Sequence, residues 1–204
     1  MTIFTRNTWP ALMARFQTYK GTSVMIARRV KPTQNIKKTI LIVGEGETEK
    51  AFLQYLKELF ILRDADFAVK VECGFGGGPK GVVQKTIRLR SSRAYDKCFV
   101  LVDSDRPFEA DHNLVVLMRR KPRVEMLKST PCVEGLFLAI LRHRNFSQSS
   151  ATSDYCKREF EANYISADKK TDKRSYGEQF TLEVIKGRRA TVAELDAILK
   201  AMQI

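Results

Sequence analysis

The chain has 204 residues, with 36 Lys and Arg against 23 Asp and Glu, for a net charge of +13. Hydrophobic residues make up 44% and charged residues 29%, a globular balance that excludes wholesale disorder. The length suits one compact domain with a small appendage and a core that needs no disulfide or metal staple. No uncharged apolar run approaches the roughly 20 residues that cross a bilayer, so an integral membrane protein is excluded.

Residues 1–38 form a basic leader. They carry Arg6, Arg15, Lys20, Arg28, Arg29, Lys31, Lys37 and Lys38 and no acid, so they supply +8 of the +13. Three readings stay open: an arm that neutralises phosphates, an organellar transit peptide, or a misread upstream region ahead of a start at Met25. The β-branched run TILIV at 39–43 reads as a buried parallel strand ending at Gly44. Thr48 is placed to cap a helix to about Leu62, with Phe52, Leu53, Leu56, Leu59 and Phe60 at helical spacing. Alternation predicts a second strand from Phe67 to Cys73. A glycine-rich loop, Gly74 to Gly81, precedes a basic helix over about 82–91. A third strand runs from Lys97 to Val102 and ends at Asp103. A helix containing His112 to Arg120 and a short fourth strand, Arg123 to Leu127, follow.

Strands alternating with helices in this way predict an α/β fold with a central, mostly parallel four-stranded sheet flanked by helices over residues 39–130. Beyond Pro131 the pattern turns helical. Segments at about 133–142 and 154–164 and one or two more make residues 131–204 a helical extension packed on the core. The last helix offers a capping box in Thr191 and Glu194.

In an open parallel sheet, ligands bind beyond the carboxyl ends of the strands. Two such ends are acidic here. GEGETEK puts Glu45 after the first strand, with Glu47 and Glu49 behind it, and DSDR puts Asp103 and Asp105 after the third. Grouped carboxylates suit a hard cation such as Mg2+ or Mn2+, although Asp and Glu also serve as turn and cap residues there. The loop CGFGGGPKG matches GxGxxG from Gly76 to Gly81. It follows the second strand and holds Pro79, which argues against a dinucleotide fingerprint. A loop that lets backbone amides and Lys80 approach a phosphate at a helix N-terminus is the simpler reading, beside a loop with no ligand. Lys85, Arg88, Arg90 and Arg93 and a C-terminal basic set from Lys169 to Arg189 favour a polyanionic partner. No pattern for sequence-specific base readout is present. Cys73, Cys98, Cys132 and Cys156 are spread singly and the two histidines lie far apart. Zinc is therefore not expected, and reduced thiols in a cytoplasm are.

The stretches ILIVGEGETEKAFLQYLKEL, CFVLVDSDRP and STPCVEGLFLAILRHR, in that order, resemble a Toprim domain, the metal-binding module of topoisomerases, bacterial primases and overcoming-lysogenization-defect nucleases. More closely, they resemble the RloB family, which accompanies restriction and phage-defence loci. The resemblance covers about residues 39–165. It implies a Mg2+- or Mn2+-dependent nuclease acting on DNA or RNA without sequence specificity, an effector with a possible partner ATPase. Glu45 takes the position of the Toprim general acid, base or metal ligand. Asp103 and Asp105 take the metal-holding DxD, with Glu49 and Glu134 as further acids. Lys80, Arg88 and Arg106 are the candidate phosphate contacts. The third motif departs from the family in lacking a Trp-rich helix, and His143 stands either for the His of its closing His-Phe or for an exposed helix end. A non-catalytic module binding nucleic acid or the ATPase is the alternative. The oligomeric state stays open.

Overall fold

The computed structural model describes residues 37–204. The readings of the leader before residue 37 therefore lie outside the described residues. Four strands form one sheet: β1 (Lys38–Gly44), β2 (Phe67–Cys73), β3 (Lys97–Asp103) and β4 (Val124–Ser129). Their order is β2-β1-β3-β4, and every pairing is parallel. β1 lies inside the sheet, which explains its unbroken apolar run. Ile40 and Ile42 enter the cluster on one face, and Leu41 and Val43 the cluster on the other. β2 is an edge strand, so it alternates instead: Val69, Val71 and Cys73 are buried while Ala68 and Lys70 are exposed.

The helices sort onto the two faces by the same logic. α1 (Glu47–Phe60) lays Phe52, Leu53 and Leu56 against the first face. α2 (Gly78–Ser92) and α3 (His112–Arg119) lay Val82, Val83 and Leu114 against the second. α4 (Val133–Leu141) is buried on nearly all sides and shares the first cluster. So do α5 (Ser153–Asn163), α6 (Leu182–Arg189) and α7 (Ala193–Ala201), with a single 3-10 turn, Lys173–Tyr176, between α5 and α6. The join is aromatic. Phe137 of α4 meets Phe52 of α1 edge-on at 4.7 Å between centroids, and Tyr176 and Phe180 pack on both rings. No described helix is long and apolar enough to cross a membrane.

Three local expectations are corrected. Gly46, not Thr48, is the N-cap of α1, because the Glu49 carboxylate accepts from the Gly46 amide at 2.9 Å and satisfies an end that Thr48 was expected to cap. α2 starts at Gly78 rather than Val82. Gly77 caps it in left-handed backbone and Pro79 fits its first turn, so half of the expected loop is helix. Thr191 and Glu194 form no capping box. Val192 is the N-cap of α7, Thr191 Oγ1 donates to the Arg188 carbonyl, and Glu194 accepts from Gln148 Nε2.

Candidate functional site

The strand order reverses between β1 and β3. The chain leaves β1 for α1 on one face of the sheet and leaves β3 for α3 on the other. Diverging connections leave a crevice at the carboxyl ends, the usual ligand position in such sheets. Glu45 and Asp103 stand on its two sides. Glu45 is tied down by its amide, which donates to the Leu101 carbonyl at 3.1 Å. Its Oε2 lies 3.4 Å from the Asp103 amide and its Oε1 3.4 Å from Arg106 Nη1. Glu45 is buried, while Arg106 reaches it from solvent. Asp103 ends β3 opposite Ser129 of β4, and Ser129 Oγ donates to its Oδ1 at 2.8 Å. The rest of DSDR is pinned to the β4–α4 turn: the Ser104 amide donates to Ser129 O at 2.9 Å and the Asp105 amide to Pro131 O at 3.0 Å. Asp105 is exposed and its carboxylate accepts from Ser153 Oγ.

Behind this pair lie two more carboxylates, Glu49 at 5% and Glu134 at 3% exposure. Glu49 is pressed onto the strand end. A Cβ on Gly44 would come within 2.7 Å of Glu49 Cβ, so only glycine permits this approach of α1. Burial, reinforced by the charge of Asp103, pushes the Glu49 carboxyl up to about 7. Burial, then the charges of Glu45 and Asp105, push Asp103 up to about 6, against the Ser129 hydrogen bond that favours the ionised form. Glu134 also acts on both groups, so it belongs to the same electrostatic neighbourhood. Its direct partner is Lys170 Nζ at 2.9 Å, which also meets Glu161 at 2.6 Å.

Asp103 feels the charges of Glu45, Asp105 and Glu134 and acts in turn on Glu49, and these five carboxylates, with Arg106 paired to Glu45 and Lys170 to Glu134, form a donor set of hard oxygens. That chemistry fits a small divalent cation. As they stand, however, no three His, Cys, Asp or Glu side chains among the described residues are gathered in a metal-holding group. Ligation would require rotation of side chains, with Arg106 leaving Glu45.

The expected phosphate contacts divide. Arg106 is brought to the site. Lys80 instead pairs with Asp111, the N-cap residue of α3, at 3.2 Å in an exposed contact, a kind of pair that holds a side chain only weakly. Arg88 lies exposed roughly 15 Å further along α2 from the glycine loop. His143 sits past the far end of α4 from Glu134, with Nδ1 3.1 Å from Tyr164 Oη. Ser129 and Ser153 support the acids without having been singled out from the sequence, while Lys170, expected within the C-terminal basic set facing a polyanion, instead pairs with Glu134 and Glu161. Ser129 had a signal, since it opens the STPCVEG stretch at a strand end. The pairing of Lys170 with Glu134 had none, because the two lie 36 residues apart.

The family model described as RloB-like protein matches residues 40–203. Comparison with curated proteins and with solved structures gives no match.

Proposed function

This chain belongs to the RloB-like family, and we propose that it is a divalent-metal-dependent nuclease of the Toprim type, hydrolysing phosphodiester bonds of DNA or RNA. The observation that carries the reading is the approach of the Glu45 carboxylate to the Asp103 backbone amide, 3.4 Å across the switch point of a parallel sheet. Mg2+ or Mn2+, when bound, would polarise a phosphoryl oxygen and lower the pKa of water. Asp103 and Asp105 are the proposed holders, with Glu49 buried behind them. Glu45 takes the proton of the attacking water as its oxygen bonds to phosphorus and the bond to the leaving oxygen breaks. Arg106, freed from Glu45, meets a non-bridging phosphate oxygen. Glu134, which shares Lys170 with Glu161, supports the acids from behind. The role we assign is a cytoplasmic effector of a restriction-associated or phage-defence system, working beside a partner ATPase. The four free, buried cysteines agree with a reducing compartment.

The test is cleavage of DNA, RNA and tRNA with Mg2+ or Mn2+, with and without the partner ATPase. Cleavage is expected to stop with chelator and to fall by about 100-fold or more in Glu45→Gln and in Asp103→Asn. Undiminished cleavage in both variants removes this mechanism. The second reading, a non-catalytic module binding nucleic acid or the ATPase, has one observation in its favour: the carboxylates do not form a ready-made metal cage. It predicts salt-sensitive binding without turnover.

A further inference from the structure

The loop between β2 and α2 holds an aromatic ring that neither the fold nor the acidic site uses. Phe75 is 72% exposed, and among the described residues only Leu62, at 74%, is a large apolar side chain more open to water. Its backbone is left-handed (φ 59°) and opens a run of four such residues, the other three being Gly76, Gly77 and Gly78. Glycine takes this conformation freely and a residue with a Cβ does not. Turn geometry therefore does not account for a phenylalanine, and neither does burial.

Two ammonium groups lie beside the ring. Lys85 Nζ stands 4.1 Å from its centroid and donates to the Cys73 carbonyl, and Lys50 Nζ stands 5.9 Å away. Space around the loop is open, since a Cβ on Gly76 or Gly78 would meet nothing within 4 Å. The loop also leans on the acidic site. The Gly74 amide donates to the Gly44 carbonyl at 2.7 Å, and a Cβ on Gly74 would sit 3.0 Å from the Glu45 carbonyl. Lys50 directly follows Glu49. An apolar, π-faced surface with two ammonium groups thus borders a crevice of carboxylates.

From this placement we infer that Phe75 is a stacking platform for an unpaired base of a nucleic-acid strand laid across the acidic site, with Lys50, now paired with Glu47 at 3.0 Å, and Lys85, now donating to the Cys73 carbonyl, exchanging those partners for the adjoining phosphates. The inference rests on the proposed nucleic-acid role of that site and narrows its substrate to strands with an accessible base: single strands, loops or frayed ends. Any base offers a π-face, so stacking is tolerant of sequence and indifferent to the sugar. A paired base in a duplex does not present that face.

The full chain is titrated, with chelator present, against a short labelled single strand and against the same strand carrying an abasic position series of equal charge, in DNA and RNA arms. The wild type is expected to prefer the base-bearing strand by about five- to hundred-fold. Phe75→Leu loses that preference with an unchanged melting temperature. Phe75→Tyr and Phe75→Trp keep it, and the introduced tryptophan is quenched on binding. Equal affinity for both strands, absence of binding, or a preference that survives in Phe75→Leu overturns the inference. Metal-dependent cleavage lost in Glu45→Gln but accompanied by no base preference leaves the nuclease standing and removes only the platform. Base preference lost in Phe75→Leu, without cleavage, does the reverse.

Discussion

Glu49 has a consequence that ordinary titration can read. Its carboxyl titrates near 4.5 when free and is pushed to about 7 in the folded protein by burial and then by Asp103. Below pH 4.5 it is protonated in both states and costs nothing. Between 4.5 and 7 the unfolded chain ionises while the folded one resists, so stability falls as pH rises through this window and stays at its lower level above it. The loss amounts to about 3 kcal/mol. Glu49→Gln keeps an oxygen for the Gly46 amide and removes the charge. It is expected to raise unfolding free energy at pH 8 by about 1–3 kcal/mol and to change it little at pH 4, as read by urea denaturation. A variant no more stable at pH 8 would show that Glu49 is not charged against its surroundings. The sequence marked Glu49 as a first-turn acid, which ordinarily stabilises a helix. That the side chain turns inward onto Gly44 depends on a close approach that only the folded packing of α1 on β1 creates.

At the scale of elements, the glycines at the site are spacing devices. Gly135 lies in the first turn of α4, where a Cβ would come within 2.6 Å of the Thr130 carbonyl and 2.7 Å of Pro131 Cδ. Both are fixed, so α4 would have to shift and carry Glu134 with it, loosening the Pro131 carbonyl that holds Asp105. Gly135→Ala is expected to cost about 1–3 kcal/mol of stability, with cleavage lost more steeply than stability; equal melting temperatures for the two proteins would refute the steric reading. Strands and helices were legible because their signals are strong: an apolar run for β1, alternation for β2, helical spacing for α1. Helix starts were less so. Gly46 caps α1 because a carboxylate three residues on reaches back, and α2 begins early because Gly77 is free to turn left-handed. Thr191 and Glu194 have capping-box spacing, yet Glu194 is drawn to Gln148, 46 residues away, a competitor that no local pattern contains.

For the whole molecule, the charge along the sequence divides into two parts. Residues 39–204 carry +5 around a buried acidic centre, and the leader carries the remaining +8. If the leader is a phosphate-binding arm, deleting residues 1–24, which removes Arg6, Arg15 and Lys20, should flatten the salt dependence of nucleic-acid binding. The slope of log K on log salt is expected to drop by up to about 3, measured by anisotropy across a salt series, with no loss of the thermal transition. An unchanged slope would assign those charges no phosphate contact. The α/β class, the succession of strands and helices, the family motifs and the two acidic strand ends are visible in the residue order alone. Hydrophobic periodicity and strand-end chemistry are local, so they can be read along the chain. It takes the folded chain to bring the Glu45 carboxylate to the Asp103 amide, Lys170 to Glu134 and Lys80 to Asp111, and to leave Phe75 in water. Those outcomes depend on which distant residues the crossovers bring together and on how much water remains around them, and spacing along the chain records neither.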